Sequence, residues 1–308
     1  MMSTFLSIGE VLWDMLPAGA KPGGAPVNFA YHAQVLGANA AFVSAVGADS
    51  LGDDLIEFFR SIGLSVDLVQ RIEGFPTGTV GVELGPGGQP KYTIHENTAW
   101  DRIACSPEAL DYVRKSDVVC FGSLSCRSET TRNTVRTILD HCREETLKVL
   151  DLNLRPPFVE KKIMESLLSR ANVLKLNDDE ITVLADMFGC PQSEMIEQAK
   201  WFLKKYGEQY GLRFLILTRG AKGSVLLKND EVAEHSGFAL SSVEIGDTVG
   251  AGDGFTAAAI LGDLAGWPLD KINETANAYA AFICTQIGAT PTVPERFQAL
   301  FSQKDVRP

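Results

Sequence analysis

The chain predicts an α/β fold: a mostly parallel central sheet, helices on both of its faces, and a small β element beside it. Three observations carry that prediction. Between residues 117 and 227 short apolar strands alternate with helical stretches, the pattern of a parallel sheet joined by crossover helices. Residues 77–94 break the pattern with two strand-like segments around Gly85-Pro86-Gly87-Gly88-Gln89-Pro90, a hairpin with a loose tip set among βα units. Residues 253–287 are nearly all helical in character.

Taken in order, residues 4–9 make a short apolar strand, followed by Glu10, Trp13 and Asp14. The Pro/Gly-rich stretch 17–24 reads as loop or turn. Gly23-Gly24-Ala25-Pro26-Val27-Asn28 then opens a helix, because the N–H that Pro26 lacks is not needed in a first turn. Ala30, Ala33, Gln34 and Leu36 carry that helix to Gly37, a natural stop. Residues 41–46 are a strand, 51–62 a helix with Leu55, Ile56, Phe59 and Ile62 inward, and 66–69 another strand. The hairpin strands run 79–84 and 91–94, and Glu96, Asn97, Trp100 and Asp101 leave it as a polar-aromatic segment. Strands at 117–121, 147–150, 172–176, 214–218 and 224–227 then alternate with helices at 129–142, 160–169, 178–187 and 193–206. No repeat, low-complexity run or linker interrupts the chain, so 1–308 read as a single domain.

Composition narrows the partners. With 308 residues, 45% of them hydrophobic, the chain can bury a sizeable core. A net charge of −11 argues against a nucleic-acid surface or an anionic membrane. It leaves room for a nucleotide, since phosphate sites can be built from backbone N–H groups and one or two basic side chains. Cys105, Cys120, Cys126, Cys142, Cys190 and Cys284 form no C-x-x-C pair, and with 4 His no zinc site is expected. Most of these thiols sit in apolar surroundings and suit a reducing, cytoplasmic setting. The apolar start lacks a basic leader and soon meets Glu10 and Asp14, so it reads as a first strand and not a signal peptide. No run of about 18 apolar residues is present to span a membrane.

The stretch with the strongest chemical character is Asp247-Thr248-Val249-Gly250-Ala251-Gly252-Asp253-Gly254-Phe255. Its glycines let a backbone turn approach a ligand, and the apolar run after it is a buried helix. A helix start offers unpaired N–H groups and a positive dipole end to an anion. A carboxylate belongs beside a phosphate only if it takes a proton from the attacking group; otherwise Asp253 merely decorates a helix start. Other strand exits are also polar. Asp14 follows the first strand, Asp151-Leu152-Asn153-Leu154-Arg155 follows 147–150, Asn177-Asp178-Asp179-Glu180 follows 172–176, and Thr218-Arg219-Gly220-Ala221-Lys222-Gly223 follows 214–217. In open α/β sheets ligands bind at that end of the strands. A capping role explains Asn177 or Asp178 alone, and a hairpin turn explains Gly220 to Gly223 alone, but no local reading explains all of them together. The P-loop pattern G-x-x-x-x-G-K-[ST], a G-x-G-x-x-G after a strand and a G-x-S-x-G elbow are all absent.

These residues resemble one family. Gly23-Gly24-Ala25-Pro26-Val27-Asn28 and Asp247-Thr248-Val249-Gly250-Ala251-Gly252-Asp253 resemble the two signatures of the ribokinase-like (PfkB) carbohydrate kinases. Asn177-Asp178-Asp179-Glu180 resembles that family's N-x-x-E motif and Thr218 to Gly223 its T-x-G-x-x-G motif, in the expected order across nearly the whole chain. Within the family the Gly-Gly-Ala-Pro-x-Asn form, Glu96-Asn97-Thr98-Ala99-Trp100-Asp101 and Asp151-x-Asn153-x-Arg155 are most similar to fructokinases, and the 2-keto-3-deoxygluconate kinases share part of the pattern. The resemblance implies a three-layer αβα sandwich with a small β-sheet lid from about residues 10–22 and 75–102.

It also implies roles. Asp253 would be the base for the sugar hydroxyl. In the turn that Gly250 opens, the N–H groups of Ala251, Gly252 and Asp253 would hold the γ-phosphoryl oxygens of ATP, and Arg155 would touch the phosphates. Glu180, with Asn177, would order Mg²⁺ through water. Asp14, Gly23, Gly24, Asn28 and Asn153 would bind the sugar, with Trp100 either on its apolar face or in the core. Asn177, Thr218, Gly220, Gly223, Gly250, Gly252 and Asn277 would line the nucleotide. Asp247, Val249, Ile283, Gly288 and Thr292 match the positions of a loop that holds K⁺ in relatives. The lid would exclude water and pair across a homodimer. Three other readings stay open at this point: a 2-keto-3-deoxygluconate kinase, a ribokinase or nucleoside kinase, and a non-catalytic sugar or nucleotide sensor.

Overall fold

Alternate residues of one sheet face two different cores. The computed structural model describes residues 2–16, 19–84, 90–241 and 244–302. Its elements in chain order are β1 (Thr4–Ile8), β2 (Leu12–Leu16), β3 (Gly19–Gly23), α1 (Ala25–Val35), β4 (Asn39–Gly47), α2 (Ser50–Ser61), β5 (Val69–Ile72), β6 (Gly78–Leu84), β7 (Pro90–Ile94), α3 (Pro107–Val113), β8 (Val118–Gly122), α4 (Glu129–Asp140), β9 (Leu147–Asp151), α5 (Lys161–Leu168), β10 (Val173–Asn177), α6 (Asp178–Phe188), α7 (Met195–Tyr210), β11 (Phe214–Thr218), β12 (Ser224–Lys228), β13 (Glu231–His235), α8 (Ala251–Leu264), α9 (Leu269–Cys284) and α10 (Glu295–Ser302). Among the described residues a nine-stranded sheet runs β13-β12-β11-β10-β9-β8-β1-β4-β5. It is parallel from β11 to β5, and β12 and β13 add an antiparallel edge.

Phe5, Phe42, Phe214 and Ile216 point into one core, with α1, α2, α8 and α9. Leu6, Val43, Leu215 and Leu217 point into the other, with α3 to α7. The period of two in the strands thus puts helices on both faces and produces the expected three-layer αβα sandwich. Long apolar strands such as Asn39–Gly47 form because both faces are covered. Among the described residues no helix is long and apolar enough to cross a membrane.

A second sheet, β3-β2-β6-β7, stands beside the first. β2 pairs antiparallel with β3 and parallel with β6, and β6 pairs antiparallel with β7. The hairpin tip at residues 85–89 lies outside the described residues.

The Pro/Gly-rich stretch expected as loop is in part a strand, because Gly19 to Gly23 pair with Leu16 to Leu12. Pro22 is tolerated there because β3 is a sheet edge, where its missing N–H breaks no ladder. The strand expected at 66–69 lies instead at β5, opposite Ser44 to Gly47, while Val66 packs into the core. α3, α10 and β13 carry too little periodicity to be read from the chain.

Candidate active site

Two turns bring the ends of the chain together. Gly24 has φ 127°, and a Cβ there would lie 2.4 Å from the Glu10 carbonyl oxygen, so only glycine lets α1 start so close to the end of β1. Gly250 caps α8 with φ 80°, and a Cβ there would meet the Ala289 backbone. α1 and α8 pack together, and Asn28 Nδ2 donates to Asp253 Oδ2 at 2.8 Å. The residues expected to hold a sugar and to act as base are therefore in direct contact.

Asp253 keeps some exposed surface while its carboxyl lies inside. Burial, and then the nearby Asp151 carboxylate, push its pKa up to about 7; Lys175, the Asn28 bond and Arg155 pull the other way. A carboxylate poised near neutrality is what a general base needs. The Gly252 backbone lies close to Lys175, since an added Cβ would be 3.3 Å from its Nζ. Lys175 is 7% exposed and pairs with Asp151, 6% exposed, at 2.9 Å. Burial works against the Lys175 charge, but Asp151, Glu180 and Asp253 outweigh it and keep the ammonium charged. The ion pair thus sits beneath the anion turn. Of the three N–H groups expected to face a phosphoryl group, that of Ala251 donates to the Thr248 carbonyl at 3.3 Å, so the turn leaves this work to Gly252 and Asp253.

Lys175 was missed in the sequence because it sits inside an apolar strand. The signal was there: a Lys on a strand covered on both faces must find a buried anion. Glu10 was missed as well. It is 4% exposed, its Oε2 has no partner, and it lines a cavity of about 10 Å³ with Asp151 and Asn153. Burial first pushes its pKa up to about 7.

Asn177 and Glu180 form a reciprocal cap on α6. Asn177 Oδ1 accepts from the Glu180 N–H and Glu180 Oε2 from the Asn177 N–H, both at 2.8 Å. Glu180 Oε1 also accepts from the Leu154 N–H at 2.8 Å. With both oxygens engaged and 5% exposure, Glu180 cannot anchor a bare ion, but free lone pairs remain for ordered water. Among the described residues no cluster of three or more His, Cys, Asp or Glu could hold a metal. The donor set fits a hydrated Mg²⁺ that arrives with a triphosphate and not a protein cage.

At the positions expected to hold the sugar, the Asp14 carboxyl faces Gly23, where an added Cβ would be 2.8 Å from Oδ2. Burial raises the Asp14 pKa, Arg155 lowers it, Asp247 raises it and Lys21 lowers it, so these four groups share one field. Asn153 takes φ 42° at the end of β9, and exposed Arg155 donates to the Leu154 carbonyl. Trp100 does not offer a face to a ligand. It is 1% exposed under β6 with the Arg127 guanidinium 4.0 Å over its ring, so the core reading holds.

At the positions expected to hold the nucleotide, Thr218, Gly220 and Gly223 form a tight loop closed by the Arg219 N–H to Gly223 carbonyl bond at 2.7 Å. Asn277 turns inward: its Nδ2 donates to Ser224 Oγ at 2.7 Å and to the Asn273 carbonyl at 2.8 Å. That amide ties α9 to β12 and is not directed at a base.

The loop positions matched to a K⁺ site, whose ligands in relatives are mostly backbone carbonyls, surround the Asp247 carboxylate unevenly. Ile283 is in the core, Val249 and Thr292 are exposed, and the Val249 and Gly288 N–H groups donate to Asp247. Burial raises the Asp247 pKa, but those N–H bonds and the Lys21 ammonium outweigh it and hold the carboxyl below its usual range.

The model of the pfkB family of carbohydrate kinases matches residues 18–296. The chain belongs to that family. This pfkB-family chain is 27% identical over 321 residues to a protein of Pyrococcus horikoshii named as a sugar kinase, covering 98% of this chain and 96% of the relative. The crystal structure of that protein with ATP has a TM-score of 0.77 over 95% of this chain and 96% of its own. Fructokinase-2 of Oryza sativa subsp. japonica is 28% identical over 315 residues, 94% of this chain and 90% of the relative. A fructokinase of Xylella fastidiosa with bound ATP has a TM-score of 0.80 over the full length of both chains, at 21% identity, and bears on the fold alone. In this pfkB-family chain the polar exits after β9, β10 and β11 lie at the carboxyl end of the parallel sheet, whereas Asp14 lies within β2 of the small sheet.

Proposed function

We propose that the chain is an ATP-dependent kinase that transfers the γ-phosphoryl group to a hydroxymethyl group of a small neutral sugar, with fructose as the favoured acceptor. One observation carries the reading: the 2.8 Å bond between Asn28 and Asp253, which joins a sugar-side turn to an anion turn around a carboxyl held near neutral pKa.

Asp253 takes the proton of the acceptor hydroxyl as its oxygen closes on the γ-phosphorus and ADP leaves. The Gly252 and Asp253 N–H groups, with the Lys175 charge beneath them and Arg155 at the mouth, meet the charge on the phosphoryl oxygens. Asn177 and Glu180 would hold Mg²⁺ through water, and the ion would offset phosphate charge. Thr218, Gly220 and Gly223 form the nucleotide loop. The small sheet of β2, β3, β6 and β7 is the lid, and one functional domain spans 1–308. Pairing of two lids in a homodimer belongs to the same proposal. The free cysteines support a cytoplasmic setting.

Asp14, Glu10, Asp151 and Asp253 make the sugar side acidic. Carboxylates accept hydrogen bonds from vicinal hydroxyls and repel a phosphate or carboxylate on the acceptor. The similarity to rice fructokinase-2 supports the same choice. Exposed Arg155 favours a second reading, an acidic sugar such as 2-keto-3-deoxygluconate.

The test is ADP formation from ATP and Mg²⁺ with fructose, ribose, 2-keto-3-deoxygluconate, fructose phosphates and adenosine, beside Asp253→Asn. Turnover of fructose that falls about a hundredfold or more in the variant supports the reading. Turnover of another acceptor with the same dependence replaces the substrate. Binding of ATP or a sugar without turnover points to a sensor.

A further inference from the structure

Lys21 and Asp247, 226 residues apart, approach from opposite walls of the site. Lys21 belongs to β3 of the small sheet and lies opposite Asp14 in the β2–β3 register. Asp247 opens the turn that ends in Asp253. The Lys21 Nζ is 3.4 Å from Asp247 Oδ2, and the two side chains are 37% and 18% exposed. The carboxylate also accepts from the Val249 N–H at 2.8 Å and the Gly288 N–H at 3.3 Å.

A fixed anion next to a triphosphate site opposes the ligand's charge, and partial burial leaves that repulsion less screened than in open water. The Asp247 carboxylate therefore needs a cation. A monovalent ion at its oxygens would sit against the ammonium already there, and two cations on one carboxylate repel. We propose that Lys21 is the built-in cation of this turn, so that the enzyme works without a monovalent metal ion. The ammonium arrives on a strand of the small sheet. Charge neutralisation of the phosphate turn is thus complete only while β3 lies against it, which couples the position of that sheet to the affinity of the phosphate site. Lys21 is a positioning residue here, acting on the phosphate through Asp247. The inference rests on the kinase reading above.

The experiment measures phosphoryl transfer at fixed ionic strength in chloride salts of K⁺, Na⁺ and tetramethylammonium, the last too bulky to enter a backbone turn. Native rates agree within about twofold across the salts, Lys21→Met loses roughly tenfold in tetramethylammonium, and K⁺ restores most of that loss. Lys21→Arg stays indifferent to the salt. In thermal unfolding K⁺ raises the midpoint of Lys21→Met and leaves the native midpoint where it is. A native rate that rises about fivefold or more with K⁺ overturns the inference. So does a Lys21→Met loss that is the same in all three salts, which a merely structural ion pair would give. If no acceptor is phosphorylated in any salt, the kinase reading fails by itself, and the unfolding measurement still decides the role of Lys21: K⁺ that stabilises the native chain overturns it.

Discussion

Asn28 Nδ2 donates to Asp253 Oδ2 at 2.8 Å across 225 residues of sequence, from the first turn of α1 to the first turn of α8. The bond engages one carboxylate oxygen and fixes the group's orientation; a hydroxyl proton needs only the other. Asp253→Asn keeps the shape and removes the proposed base. Its kcat is expected to fall about 10²–10⁴-fold, while calorimetric affinity for ATP changes less than about threefold. A parallel loss of ATP binding would mean that the residue shapes the turn and does not serve as base.

The charge of Asp253 sets a pH profile. With its pKa pushed up to about 7, kcat/KM should climb with pH and level off above that value. Asp151 raises the Asp253 pKa and Lys175 lowers it, so the two halves of one ion pair have opposite effects. Asp151→Asn moves the limb to lower pH, and Lys175→Met moves it to higher pH. General damage would move both limbs the same way or neither, and full profiles of the two variants decide.

The parts of this site that could be read from the chain are those where local backbone geometry and chemistry coincide. A glycine turn must be spelled with glycine, and Gly24 and Gly250 are legible because no other residue fits. Asn177 and Glu180 are legible because a cap needs that spacing, three residues apart. Asp253 next to Asn28, and Lys175 beneath Gly252, depend on α1 and α8 packing side by side on one face of the sheet, which no local pattern specifies. Trp100 and Asn277 show the converse. Their types suit a binding site, but the side chains turn inward because Trp100 underlies β6 and Asn277 secures Ser224. β3 escaped notice because its pairing with β2 overrides the preference of Gly and Pro for turns.

Glu10 is a second buried carboxyl with a raised pKa, and its consequence is for stability. Its ordinary value of 4.5 rises to about 7 in the folded chain, so the folded state holds a proton that the unfolded state gives up. Stability from this group is present in full below about 4.5 and is lost as pH climbs through about 7. Glu10→Gln keeps the shape without the ionisation. At pH above the folded value it should exceed the native chain by up to roughly 3 kcal/mol, and the difference should shrink towards acid. Urea unfolding of both proteins across that range tests it, and a constant difference would show that Glu10 is already ionised in the fold.

The loop proposed to hold the nucleotide has two glycines with positive φ that differ in their surroundings. At Gly220, φ is 54° and an added Cβ meets nothing within 4 Å. At Gly223, φ is 80° and an added Cβ would lie 2.0 Å from the His235 carbonyl oxygen and 2.3 Å from the Gly237 nitrogen. Gly220→Ala meets only the left-handed backbone penalty, about 1–2 kcal/mol. Gly223→Ala must also push apart β12 and the chain after β13, and no flexible side chain is there to yield. It should cost roughly 3 kcal/mol or more and raise the KM for ATP well beyond the effect at Gly220, because the same backbone closes the proposed nucleotide loop. Unfolding and ATP titration of the two variants give the order. Equal losses at both positions would mean that Gly223 is held by backbone strain alone and that the close approach to His235 relaxes freely.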